Sequence, residues 1–485
     1  MVQLDLRGWL EEVRRLGELL EPEETHWDRE MGALTQLVHE THPENPPALL
    51  FDKIPGYPVG FRTLYGTLSS VPRLALTLGL PLEYENRLEF VGAFRDKMAR
   101  VERISPVTVK EGPVLENFQE GTQVDVLKFP IPKHHEQDPA RFIATASAVI
   151  LRHPEEGWVN VGTYRSMVYD GRTIGLEMSP TSDGGRIQEA YFRQGKPMPV
   201  ALCVGQHPLL YLVGASSWKI PELDAAGGLL GEPVEVIEGP YTGLPIPAAA
   251  EIVIEGVMEP GLTKPEGPFG EWMGYYASEV VERPYVQVKT VLHRNDPILT
   301  CAPQHRPTDE TVLLRSVANA AKTWEALDGL GIRGVRGIWQ HAGGAAKKFL
   351  VISLEQAYPG HARHVLHSAA VSGGAIFGGK WIIAVDEDID PSNATEVIWA
   401  LSTRVNGPDD FDFIPEAPSG GLIDPLTGGY FNTRILVDAT IPFDLKKAGK
   451  FPRPVVVSKE MEDSLRRRWG DLLGFSERKY TREGR

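Results

Sequence analysis

The stretch Lys264-Pro265-Glu266-Gly267-Pro268-Phe269-Gly270-Glu271-Trp272-Met273-Gly274-Tyr275-Tyr276 sets two carboxylates five residues apart in a segment stiffened by proline and broken by glycine. Loops on a rigid scaffold are where sites concentrate. If the turn brings Glu266 and Glu271 close together, like-charge repulsion and burial raise one carboxyl pKa and keep a proton available near neutrality. The same residues also spell a Gly-Pro hairpin with two solvated acids, because exposed glutamate is the norm. A buried arginine would separate the two readings.

Arg165 is the candidate. In Val159-Asn160-Val161-Gly162-Thr163-Tyr164-Arg165-Ser166-Met167-Val168-Tyr169 strand alternation sets it among Tyr and Met, although a strand arginine also serves as one half of a sheet-face ion pair. Asn160 is open in the same way. Glu222, in ASSWKIPELDAAG, precedes a helix with small residues and reads equally as an acid favoured by the helix macrodipole. His134-His135-Glu136 invites a metal-dependent hydrolase, but adjacent residues of an extended loop point apart and lack the i, i+4 spacing of a zinc helix. His361, His364 and His367 recur at helical spacing and read as a solvated or interface face.

Several elements must position these groups. Residues 4 to 20 form an amphipathic helix pattern, a second runs through Met31, Leu34, Leu37 and Val38, and Ala48 to Ile54 reads as a strand. Residues 1–110 are expected to make a small α+β domain. Residues 111–307 carry β-rich runs such as ATASAVILR, PVALCVG, AEIVIEGVM and YVQVKTVLHR, spaced as in an antiparallel sheet or barrel. A helix at 308–330 connects to residues 331–485, where KKFLVISL, a helix around His361, KWIIAVDEDID and a helix around Thr395 to Val405 alternate as a parallel α/β layer. KEMEDSLRRRWGDLL then reads as an exposed helix before a charged tail.

At 485 residues the chain exceeds one ordinary core and implies two or three domains. A net charge of −15 argues against nucleic acid as the main partner. The two cysteines, Cys203 and Cys301, are too few for a disulfide scaffold, which fits a reducing cytoplasm. The opening MVQLDLRGWLEEVRRLGELL carries acids and no apolar run, so neither a signal peptide nor a membrane span is expected.

Taken in order, these pieces resemble the UbiD-like family of prenylated-FMN-dependent decarboxylases. EGPFGE followed by GYY is the most specific element. It is joined by NVGTYR, by SS followed by PELDAAGGLLGEPVEV, by TDET at 308 to 311, by VDEDID at 385 to 390 and by WALSTR ending at Arg404. LRGWLEEVRRLGELL and PALLFDKIPGY look like the family's opening, so the resemblance spans nearly the whole chain.

The resemblance implies an N-terminal α+β domain, a central split β-barrel that binds the flavin, and a C-terminal α/β domain that dimerises. It implies reversible, non-oxidative decarboxylation of an aromatic, heteroaromatic or α,β-unsaturated acid through a covalent adduct with prenylated FMN, which a flavin prenyltransferase supplies. By that mapping Glu271 donates the proton, Glu266 and Arg165 hold and tune it, and Arg165 also lies near the flavin. Asn160 and Glu222 would ligate Mn2+ or Mg2+ at the flavin phosphate, with K+ near Ser216 and Trp218 and the phosphate held by Arg404. The family's third ligand, a histidine, has no counterpart; Ser182 or Asp183 fills its slot, Asp183 being the oxygen donor chosen here. Trp272, Met273, His305, Arg315, Phe377 and residues near Leu422 would border the substrate, and His305 with Arg315 hints at a second polar or anionic group on it. The alternatives are the hydrolase named above and a non-catalytic flavin-binding or assembly protein.

Overall fold

Residues 5–277, 280–376, 378–419, 426 and 431–473 are described in the computed structural model. They form two compact units, Met1–Leu80 with Lys97–Leu314, and Pro81–Asp96 with Arg315–Arg485. The segments 1–110 and 111–307 therefore lie largely together in the first unit. The connecting helix, Val312–Gly329, straddles the division.

The first helix, Leu6–Arg15, starts where Asp5 accepts the Arg7 amide at 2.9 Å and buries Leu6, Trp9, Leu10 and Val13. This spacing is the 3.6-residue stripe of an amphipathic helix. It stops short of residue 20, because Leu19–Leu20 leave the helix to pair in parallel with Ala48 and Leu49. That small sheet continues through Arg62–Tyr65 to a distant strand, Ile298–Cys301, which lies parallel to it. Main-chain pairing thus stitches the N-terminal segment to the end of the central one.

An ion-pair knot reinforces the stitch. Arg7 donates from Nε and Nη2 to the Glu251 carboxylate at 2.9 and 2.8 Å, and Arg294 reaches the same carboxylate at 3.3 Å. The Glu251 side chain is 0% exposed. Burial pushes its pKa up, against the pull of Arg7 and Arg294.

The central sheet has nine strands in the order Arg141–Ile143, Ser166–Asp170, Thr173–Gly175, Val281–His293, Ile252–Glu266, Met198–Val204, Ala148–Arg152 and Val159–Gly162, with Asn117–Glu120 against Val281–His293. It curls as a half-barrel around Val149, Leu151, Val200, Leu202, Val204, Ile252, Ile254, Val286 and Val291. Alternate residues of each strand point to one face, so β-branched side chains at every second position fill this core. Cys203 and Cys301 are buried free thiols.

In the second unit five strands run in the order Val335–Gln340, Phe349–Leu354, Trp381–Asp386, Phe431–Ala439 and Phe411–Pro418. The inner three are parallel and both edge pairings antiparallel. This is the expected α/β layer, and parallel neighbours require the crossover helices His361–Ala370 and Ala394–Arg404. The Lys459–Leu473 helix leaves Met461, Leu465, Trp469 and Leu472 exposed.

Replacing Glu251 by alanine strips Arg7 and Arg294 of a shared buried partner, a change that costs roughly 3 kcal/mol. A lowered urea midpoint is the expected result. An unchanged midpoint would mean that strand pairing alone holds the N-terminal segment.

Candidate active site

The long strand Ile252–Glu266 ends on Glu266, the last residue in register with its neighbour, opposite Val281. Gly267, at φ 95°, turns the chain, as few other residues would tolerate. The next strand, Phe269–Glu271, returns on Tyr275–Ala277 with Glu271 opposite Tyr275. The two glutamates thus close two successive strands. Arg165 enters between Val159–Gly162 and Ser166–Asp170, where the chain leaves one edge of the sheet for another.

The three side chains meet. Arg165 Nε and Nη2 donate to Glu266 Oε1 and Oε2 at 2.9 and 3.0 Å, and Nη1 donates to Glu271 Oε1 at 2.8 Å. Phe269 lies under the guanidinium, its ring centre 5.1 Å away. The exposure of the three side chains is graded: 2% for Glu266, 15% for Arg165 and 21% for Glu271. Burial opposes the Arg165 charge, but the hydrogen bonds and charge of Glu266, then Glu271 and Glu177, outweigh it and raise its pKa.

Glu177 and Arg283 belong to the same network, and sequence reasoning missed both. The Glu177 amide donates to the Arg165 carbonyl at 3.2 Å, and its carboxylate pairs with Arg283 at 2.5 Å. Burial raises the Glu177 pKa; Arg165 and Arg283 pull it down, and Glu266 pushes it up. Neither residue lies in a recognisable motif, so only the folded sheet announces them.

A second polar cluster lies along the same stretch of chain. Asn160, 3% exposed, donates from Nδ2 to Glu222 Oε1 at 3.4 Å, and the Val161 amide donates to Glu222 Oε2 at 3.2 Å. Tyr164 donates its hydroxyl to Asn160 Oδ1 at 3.0 Å. Burial raises the Glu222 pKa and Asp183 adds to the rise. Asp183 is half-exposed and spends its carboxylate on Arg186 at 3.1 Å, while Ser182 caps the helix that Asp183 begins. Ser216 and Trp218 lie in the loop between the Pro208–Gly214 and Glu222–Leu230 helices, Trp218 donating to the Val213 carbonyl at 2.9 Å.

The other sequence candidates scatter. Trp272 and Met273 are buried at the hairpin tip. His305 is 5% exposed, with Nδ1 2.8 Å from the Arg306 carbonyl, and its ring lies tilted against His39 at 5.3 Å between centres. Arg315 belongs to the second unit, where burial first, and then Arg315, Lys322 and Lys348, push Lys347 down to about 8. Phe377 and Leu422 lie outside the described residues. Arg404, buried in the second unit, donates to Asp386 at 2.9 Å and to Asp388 at 2.8 and 2.6 Å.

His134 and His135 diverge, as expected of neighbours in a loop. His134 meets Tyr65 edge-on, His135 meets Tyr276, and the exposed Glu136 pairs with Arg29. Among the described residues no group of three His, Cys, Asp or Glu could hold a metal, which leaves the hydrolase reading without a centre. His135 instead backs the Phe269–Ala277 hairpin: a Cβ on Gly270 would stand 3.0 Å from its ring. Burial keeps His39, His134, His135 and His305 below the usual imidazole range, His39 at about 3.

Residues 10–92, 106–307 and 312–439 match the N-terminal, Rift-related and C-terminal domains of the 3-octaprenyl-4-hydroxybenzoate carboxy-lyase (UbiD) family. A pyrrole-2-carboxylic acid decarboxylase from Pseudomonas aeruginosa is 32% identical over 83% of each chain. The solved vanillic acid decarboxylase of Sedimentibacter hydroxybenzoicus is 25% identical, with TM-score 0.84 over 98% of this chain and 100% of its own. The UbiD-class enzyme HmfF of Pelotomaculum thermopropionicum, in complex with FMN, is 28% identical with TM-score 0.82 over 94% and 98%. An evolved dimeric form of HmfF in complex with prFMN is 27% identical with TM-score 0.79 over 94% and 97%. These relatives are decarboxylases, and the chain belongs to the UbiD family of carboxy-lyases.

The histidines predict an acid-labile core. Unfolded His39 protonates near pH 6.5 and folded His39 only near pH 3, so its contribution is intact above 6.5 and is lost as pH falls towards 3. The expected loss is about 1.4 kcal/mol per pH unit in that window. Urea titrations at pH 7.5 and 5.0 should show a smaller midpoint drop for His39→Leu than for the parent; equal drops would remove His39 from the account.

Proposed function

We propose that the protein decarboxylates an aromatic, heteroaromatic or α,β-unsaturated carboxylic acid, reversibly and without oxidation, at the Arg165–Glu266–Glu271 site. Prenylated FMN, when bound, supplies the electron sink that no side chain offers to a carbanion at an sp2 carbon. The chain's own residues bind, orient and move one proton.

The carrying observation is the unequal sharing of one guanidinium. Glu266 takes two hydrogen bonds from Arg165 and is almost wholly buried; Glu271 takes one and is the most open of the three. A doubly held, buried carboxylate serves to fix Arg165. The more accessible one serves to deliver a proton to the carbon that CO2 leaves, which requires reach as well as a matched pKa. Arg165, fixed by Glu266, steadies Glu271 and remains a cation for the substrate carboxylate to approach.

Asn160 and Glu222 are assigned to a hard divalent ion, Mn2+ or Mg2+, that bridges to the flavin phosphate. An amide oxygen and a carboxylate lacking a cation are the donors such an ion prefers. Asp183 supports that ion by its charge, and the loop carrying Ser216 and Trp218 is the proposed K+ and phosphate contact. Trp272, Met273 and His305 border the substrate in this reading. A flavin prenyltransferase is the proposed supplier of cofactor. No helix among the described residues is long and apolar enough to cross a membrane, which accords with a proposed cytoplasmic homodimer or larger homo-oligomer.

Expression with and without a flavin prenyltransferase, followed by absorption spectra and CO2 release from a panel of aromatic acids, tests the whole reading. Flavin bound in both cases and turnover only after co-expression is the expected pattern; a colourless protein under both conditions would end it. Glu271→Gln should keep the flavin and lose at least about a hundredfold in kcat, and full activity in that variant would overturn its role. Arg165→Lys keeps the charge but not the fork that spans two carboxylates, so a loss of about a hundredfold from mispositioning is expected; turnover equal to the parent's would show that charge alone suffices.

A further inference from the structure

Two arginines and three carboxylates meet around the end of the Ile252–Glu266 strand, and their partnering is a choice: Arg165 takes Glu266 and Glu271, Arg283 takes Glu177. In the ladder with Val281–His293, Lys264 stands opposite Arg283 and Glu266 opposite Val281. Residues two apart on a strand share a face. Arg283 and Glu266 are therefore diagonal neighbours, roughly 7–8 Å apart, a span that a long side chain covers. A second guanidinium thus stands within reach of the carboxylate that fixes Arg165.

Glu177 holds that guanidinium on the other side of the strand. Thr173–Gly175 pairs with Val281–His293 so that Gly175 faces Tyr285, and continuing the register puts Glu177 opposite Arg283. Its carboxylate lies 2.5 Å from Arg283 Nε, with the Glu177 side chain 17% and the Arg283 side chain 25% exposed. The Glu177 amide donates to the Arg165 carbonyl at 3.2 Å. One residue therefore ties the main chain of the first arginine to the side chain of the second. Lys264, the other cation on this face, lies over the rings of Tyr169 and Tyr285, 5.3 and 5.6 Å from their centres.

We propose that Glu177 is a positioning residue of the triad: by engaging Arg283 it keeps that arginine off Glu266 and leaves Glu266 to Arg165. Removing one partner of a buried pair strands the other charge. Without Glu177, Arg283 turns to the carboxylate set diagonally beside it. Glu266 then divides its oxygens between two guanidinium groups, the fork that fixes Arg165 loosens, and Arg165 shifts relative to Glu271. That this shift costs turnover rests on the reading of the triad as the decarboxylation site; the pairing itself does not.

The test combines crystal structures of the parent, Glu177→Gln and the double variant Glu177→Gln/Arg283→Gln with kcat for the same three flavin-loaded proteins. Arg283 hydrogen-bonded to Glu266 in the single variant is the expected structure. Its kcat should fall at least about tenfold, as misplacement of a catalytic group does, and the double variant should recover most of that loss because the competing arginine is gone. A carboxylate that merely supported the sheet would not be rescued by removing its partner as well. Arg283 remaining away from Glu266 in the single variant, or a double variant no more active than the single, would overturn the role of Glu177. A parent that turns over no acid would overturn the decarboxylase reading instead, and the position of Arg283 in the single variant would then decide the pairing alone.

Discussion

One guanidinium between two carboxylates is the interaction on which the rest of this molecule depends. Arg165 pairs with both Glu266 and Glu271 in surroundings that are mostly buried. A charge in low dielectric is costly unless it is paired, and the neighbouring Glu177–Arg283 pair joins the same network.

A second polar cluster lies a few residues upstream. Glu222 accepts from the Asn160 side chain and the Val161 amide, and Asp183 adds negative potential from the next helix. Asn160 and Arg165 lie on one short run of chain, so the sheet edge that fixes one fixes the other. Both sites inherit their rigidity from the long pairing of Ile252–Glu266 with Val281–His293 and from the core beneath it.

The N-terminal segment contributes to that rigidity from behind. Its second helix brings His39 against His305, and the hairpin glycine Gly270 leans on His135 and the Gln304 carbonyl. Buried imidazoles held neutral add bulk and polarity to this support without adding charge. Strand pairing across Arg62–Tyr65 and Ile298–Cys301, together with the Arg7–Glu251 pairing, makes this support part of the unit that contains the site.

Much of this was legible in the residues. Alternation and helical spacing gave the half-barrel and the α/β layer, since a buried face imposes its period on the chain. Glu266, Glu271 and Arg165 were legible as candidates because a proline- and glycine-rich turn with two acids is unusual, and the family resemblance ordered them. What the chain alone left open was partnership. Whether Glu266 and Glu271 were solvated or shared depended on Arg165, 101 and 106 positions away in sequence, folding onto them. The Asp386 and Asp388 partners of Arg404 emerged only in the fold, and Glu177 and Arg283 carried no sequence signal as site residues. Residue type and local period are properties of neighbours along the chain, and they determined the elements and the available chemistry. Which charges remain uncompensated is a property of neighbours in space, and only the tertiary structure decided that.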